Sequence, residues 1–188
     1  MPSMHYAGIG SRKTPDHIQD LMVAVAKRLW RLGYTLRSGG AVGADYAFEL
    51  GAPSCTIFRE DYADIRDPAG FRRVVYSPET IAFMESFVVA YHPVPHALKG
   101  DPRKWMRRNT LQVMSHSQEG LELPQVDFVL CWTPDGSLDG AHRSAGGTGQ
   151  ALRIAHRHGI PVFNLEPDAD AALKRLAALL RALGVTPR

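Results

Sequence analysis

The chain has 188 residues, a net charge of +3 at neutral pH and 45% hydrophobic residues, values expected of one globular domain with a sizeable core. No apolar run approaches the roughly 20 residues that cross a bilayer, and Met1–His5 carries no basic-then-apolar leader, so a cytoplasmic protein without membrane attachment is expected. The two cysteines, Cys55 and Cys131, each lie in an apolar run without metal-ligand spacing, which predicts reduced buried thiols and neither disulfides nor a metal site.

His5–Ile9 reads as a first strand leading into Gly10-Ser11-Arg12. Thr14-Pro15-Asp16 then opens a helix, with threonine as its N-cap and proline at its first position. Ile18, Leu21, Met22, Val25, Ala26, Leu29 and Leu32 follow at helical spacing, and Gly33 closes it. Tyr34–Arg37 is a second strand, Ala44–Leu50 a short helix and Ser54–Phe58 a third strand. Arg59–Val75 is polar and charged, and is expected to form an excursion or lid outside the sheet. Ser77-Pro78-Glu79 caps a helix that runs to about Ala90. A proline-broken basic loop, HPVPHALKGDPRKWMRRN, enters a helix spanning about Trp105 to Ser117. Val126–Trp132 is a continuous apolar run, as in a central parallel strand covered on both faces. A helix over Gln150–His158, a last strand at Ile160–Leu165 and an amphipathic helix at Ala169–Leu183 complete the chain, with no internal repeat.

Strands separated by helices predict a three-layer α/β/α Rossmann-like domain with a mostly parallel sheet, over residues 1–188 as a single domain. Ligands of such folds sit beyond the carboxyl ends of the strands. Three glycine-bearing loops fall there: Gly8, Gly10 and Ser11 after the first strand; Ser38, Gly39, Gly40, Ala41 and Gly43 after the second; Gly146, Gly147, Thr148 and Gly149 after the Val126–Trp132 strand. Bare backbone ahead of a helix lets a phosphate reach unpaired amides and the positive end of the helix dipole. Ser38 offers a hydroxyl, and Arg12 or Arg37 a charge-assisted bond. A nucleotide or phosphate ligand is expected, with no cofactor required. The first loop is no dinucleotide fingerprint, because Lys13 stands where G-x-G-x-x-G needs its third glycine, and no P-loop occurs.

Asp45 and Glu49, four apart on the short helix, share a face. They either form a carboxylate pair that activates water, or Asp45 orients the helix end or a ligand while Glu49 is solvated. Lys99, Arg103, Lys104 and Arg107, with Trp105 among them, either follow a phosphate backbone while the indole stacks on a base or form a solvated helix entry. The sequence pI of about 9.0 favours anionic partners. Histidines 92, 96, 116, 142, 156 and 158 show no metal-binding pattern. The long segment 133–147 is either a closing loop, through which Asp139 or His142 reaches a ligand, or a flexible surface loop.

The stretches YAGIGSR, LRSGGAVGADYAFELGA, MRRNTLQVMSHS and GGTGQALRIAHRHGIPVFNL, in this order, resemble the SLOG superfamily. It contains the Rossmann domain of DNA-processing protein A (DprA/Smf) and the LOG-type nucleotide phosphoribohydrolases. The match covers most of the chain and is weakest over 59–91. The serine–glycine loop followed by Gly-x-Asp, and the later Arg108-Asn109 pair, look most similar to DprA-like proteins; small stand-alone members of this kind occur in phage genomes. The resemblance implies single-stranded DNA binding, with Gly10-Ser11-Arg12, Ser38–Gly43 and Arg108-Asn109 lining one pocket. It also implies work in DNA processing, recombination or nucleotide sensing, inside a host cell if the chain is phage-encoded, and a possible homodimer. LOG-type enzymes hydrolyse the glycosidic bond of a nucleoside monophosphate through an arginine and the glutamate of P-G-G-x-G-T-x-x-E. Here Ala145 replaces the proline, Thr-Gly-Gln-Ala-Leu follows Gly147, and no carboxylate stands at the glutamate position.

Overall fold

The computed structural model describes residues 4–142 and 145–185; Met1–Ser3, to which part of the leader reading applies, lie outside them. A seven-stranded sheet runs in the order β5-β4-β3-β2-β1-β8-β9. Its strands are β1 (Met4–Gly10), β2 (Tyr34–Ser38), β3 (Cys55–Phe58), β4 (Tyr62–Asp67), β5 (Gly70–Val75), β8 (Phe128–Trp132) and β9 (Val162–Asn164). The inner pairs β3·β2, β2·β1, β1·β8 and β8·β9 are parallel, whereas β3·β4 and β4·β5 are antiparallel. A small hairpin of β6 (His116–Gln118) and β7 (Leu121–Leu123) stands apart.

Helices α1 (Asp16–Arg31), α2 (Ala44–Gly51) and α6 (Ala169–Ala182) cover one sheet face. Ile18, Met22, Phe48 and Leu176 meet Tyr6, Leu36, Phe128 and Leu130 there. Helices α3 (Pro78–Tyr91), α4 (Gly100–Val113) and α5 (Thr148–Arg157) cover the other, where Val113, Leu152 and Ile154 meet Ala7, Ile9, Val129 and Cys131. Alternate residues of β1 and β8 enter opposite layers, which is why the run 128–132 is apolar throughout. The architecture is thus the expected α/β/α sandwich, and Cys55 and Cys131 are buried free thiols. No helix among the described residues is long and apolar enough to cross a membrane.

Four local expectations are corrected. Residues 62–75 form a hairpin that extends the sheet, not an excursion from it. It escapes a periodicity reading because β5 is exposed along most of its length. Helix α4 starts at Gly100, since Pro102 falls in the first turn where a missing N–H costs nothing; it ends at Val113, and His116 begins a strand. Thr14 does not cap α1: its hydroxyl donates to the Ser11 carbonyl, and Pro15 occupies the cap position. Ser77 does cap α3, accepting from the Thr80 amide at 3.1 Å.

Candidate functional site

The chain leaves β1 toward β2 on one side, while β8 pairs on the other, so the crossover direction reverses between β1 and β8 and opens a crevice at their carboxyl ends. A cleft of about 620 Å³ lies there, a volume in the range of small-ligand sites. Its walls are the β1–α1 loop (Gly10, Ser11, Arg12, Lys13), Ala41 and Asp45 from the β2–α2 segment, one flank of α4 (Trp105, Arg108, Asn109, Gln112) and the entry to α5 (Gly146, Gly147, Thr148). The three glycine loops therefore contribute to one cleft.

Asp45 holds two of them together. Its carboxylate accepts from the amides of Gly10 at 3.1 Å, Gly39 at 3.2 Å and Ala41 at 3.4 Å. Burial raises its pKa to about 6, against the lowering effect of Arg108 and the amide bonds. Close approach needs bare backbone at two points. A Cβ on Gly43 (φ +86°) would lie 2.6 Å from the Ser11 carbonyl oxygen, and one on Gly40 (φ +65°) would strike the Arg59 guanidinium at 2.4 Å. Arg108 donates to the carbonyls of Gly39 and Phe58. Its Nε is buried without a partner among the described residues, so its fork keeps a donor in reserve, and burial lowers its pKa. Asn109 donates to the Gly147 carbonyl at 2.8 Å and ties α4 to the third loop. At the rim, the Arg12 guanidinium lies 5.6 Å from the centre of the Trp105 ring, and the indole N–H donates to Glu60 at 2.8 Å.

Several expected residues lie elsewhere. Arg37 is fully buried and points away from the cleft. It donates to His5 Nδ1 and to the carbonyls of Leu111, Met114 and Pro124, and desolvation lowers its pKa to about 9. That makes it a strut between β2 and the α4 end, not a phosphate ligand. Ser38 is buried behind the loop, accepting from the Gly40 amide and donating to Glu49 at 2.6 Å. Glu49 therefore does not line the cleft beside Asp45, and burial raises its pKa. Gly8 and Gly149 serve packing: a Cβ on Gly8 would strike Leu36 and Phe48, and one on Gly149 would crowd Ala145.

The basic segment divides in the same way. Only Trp105 and Arg108 of that cluster line the cleft, with Met106. Arg103 pairs with Glu85 and caps the turn at Pro95 and Leu98, and Lys104 reaches Asp61. Lys99 is exposed at the α4 cap, and Arg107 is half-buried with an Nε that has no partner among the described residues. In the segment 133–147, Asn164 donates to Thr133 and to the Ser137 carbonyl, while Ser137 binds Asp139. These bonds tie the start of the segment to the end of β9, and of residues 133–140 Pro134 lines the cleft while Asp139 does not; Arg143 and Ser144 lie outside the described residues. His142 is exposed and does not line the cleft.

Sequence reasoning missed Lys13, Gln112 and Pro134 as lining residues, and Arg59, which donates to the Gly40 carbonyl at 3.1 Å. Gln112 was findable, because it follows Asn109 by three on one helix and shares its face. Arg59 offered a weaker signal, its position just past the carboxyl end of β3.

No family model matches the sequence, and no curated protein is significantly similar to it. Among solved structures, DNA processing protein A from Helicobacter pylori, a protein with a described single-stranded DNA binding mode, is similar over 86% of this chain with a TM-score of 0.51 and 16% identity. The aligned region spans 65% of that protein's length. At this identity the likeness is one of fold: the chain has the Rossmann-like architecture found in DNA processing protein A.

Proposed function

We propose that this chain is a DprA-like member of the SLOG superfamily that binds phosphate, as a nucleotide or within single-stranded DNA, in the cleft beyond β1 and β8. One observation carries the reading. Arg12, Lys13 and Arg108 and the amino end of α5 surround the cleft, while its carboxylate, Asp45, is already occupied by three main-chain amides. Such a cleft has an excess of positive potential and free donors, as an anion requires. The fold shared with a single-stranded DNA-binding protein favours the polymer. On this reading the protein works in the cytoplasm, that of the host if phage-encoded, in DNA processing, recombination or nucleotide sensing, and its homodimer is to be sought by sedimentation.

The competing reading is hydrolysis of a nucleoside-monophosphate glycosidic bond. Its base candidates are poorly placed among the described residues: Asp45 lines the cleft but accepts from three main-chain amides, Glu49 is bonded to Ser38 behind the loop, and no carboxylate follows the third glycine loop at the motif's glutamate position. Filter binding with labelled oligothymidylate at two salt concentrations tests the leading reading, with affinity expected to fall as salt rises. A panel of nucleoside monophosphates analysed for free base tests the other, and no base release is expected. Absence of DNA and nucleotide binding at low salt would overturn the proposal.

A further inference from the structure

The sheet overhangs its helices at the β4–β5 edge. Cys55 and Ile57 of β3 face the layer covered by α1 and α2. Their register partners, Arg66 and Asp64, lie on that same face. Across the next pair, Val75 stands beside Tyr62, Arg73 beside Asp64 and Phe71 beside Arg66. The helix-covered core ends at β3, so Phe71 and Val75 stand 61% and 70% exposed. The opposite face of the same hairpin is covered, with Ala63, Ile65 and Val74 packed against Met84, Leu111 and Leu121. One face of this hairpin is therefore built into the core and the other is left open.

The open face has a particular chemistry. The Arg73 guanidinium lies 4.0 Å from the centre of the Tyr62 ring and is bonded to Asp64 at 2.8 Å. Arg59 approaches Asp64 at 3.9 Å and donates to the Gly40 carbonyl. A continuous ribbon of guanidinium and aromatic groups thus runs from the glycine loop beside the cleft to the edge strand. Of its carboxylates, Asp64 is buried and Glu49 half-buried, and the exposed Asp61 in the turn pairs with Lys104, while Arg66 and Arg73 are exposed. Flat aromatic faces interleaved with arginines on an open sheet are what unpaired bases and their phosphates require. A second copy of the chain fits poorly, because pairing two β5 edges would bring Arg72 and Arg73 of both copies together.

We propose that this hairpin face is a second contact surface for single-stranded nucleic acid, carrying the strand onward from the cleft along Arg59, Tyr62, Arg66, Phe71 and Arg73. The inference rests on the cleft reading and extends it from one nucleotide to a polymer.

The test is a double variant, Phe71→Ala with Arg66→Ala, both at exposed positions, checked for an unchanged melting temperature. Its affinity for an oligothymidylate of about 20 nucleotides, longer than the roughly 4–16-nucleotide footprint of single-strand binders, is measured against salt. Affinity for thymidine 5′-monophosphate is measured in parallel. The expected result is at least a roughly tenfold loss for the oligonucleotide, from one lost stacking contact and one lost phosphate contact. The salt slope becomes shallower by about 0.7, and mononucleotide affinity is unchanged. Oligonucleotide affinity within about two-fold of the parent, with an unchanged salt slope, overturns the proposal while leaving the cleft reading intact. A parent protein that binds neither probe removes both.

Discussion

Asp45 and Arg37 are both buried ionisable side chains beside the second loop, yet they do different work. Asp45 binds more protons folded than unfolded, because burial holds its pKa near 6. Its contribution to stability is therefore complete below about pH 4 and is lost as pH rises through about 6. His5 acts in the opposite sense: burial and Arg37 push it down to about 3, so its contribution is lost as pH falls from about 6.5 toward 3. Asp45→Asn isolates the first effect. Relative to the variant, the parent should lose on the order of 1–3 kcal/mol of stability between about pH 4 and 6.5, read from urea melts; a flat difference would refute the assignment. Arg37→Met removes the donor that three carbonyls share. It should cost on the order of 3 kcal/mol while leaving the nucleotide affinity of the folded protein unchanged. Lost affinity with retained stability would return Arg37 to the binding site. The sequence made Arg12 and Arg37 look equivalent, each flanking a glycine loop. They differ because Arg37 is still within its strand, where the side chain enters a helical layer, whereas Arg12 lies past the strand end.

At the scale of elements, the site is the meeting of loops that glycine allows to touch. Gly43→Ala places a Cβ against the Ser11 carbonyl at a positive φ and should separate the first two loops. The expected outcome is a loss of nucleotide affinity by about tenfold or more, with a melting temperature lowered by several degrees. Isothermal titration beside a thermal scan distinguishes this from simple unfolding, and full affinity in a folded variant would dissociate loop contact from binding. The inner strands and most helices were legible because burial on one or both faces imposes a period. The β4–β5 hairpin was not, since its open face leaves arginines where a covered strand would carry valines. The short hairpin of β6 and β7 was missed for want of length, having three residues in each strand.

For the whole molecule, alternating strands and helices gave the layer order, and the continuous apolar run at 128–132 located the centre of the sheet. Convergence of the three glycine loops was legible too, because strand ends in a parallel sheet share an edge. The resemblance set Arg108 and Asn109 at the pocket, but the bonds they make were hidden by distance along the chain: Asn109 meets Gly147, 38 residues away, and Arg108 meets Gly39, 69 residues away. No local pattern encodes such pairs. The excess positive charge was visible in sum but not in place, since Arg103 and Lys104 are drawn into ion pairs away from the cleft while Arg12 and Lys13 stand at its mouth.

Trp105 sits at that mouth with a guanidinium over its ring and a carboxylate on its N–H, whereas Trp30 is on α1 and Trp132 is bonded to Glu166 within the fold. Of the three indoles, it alone lines the cleft. On the proposed reading the protein would carry its own optical indicator of occupancy. Emission excited at the indole band should shift in wavelength or intensity as the cleft fills, and Trp105→Phe should render the same titration silent.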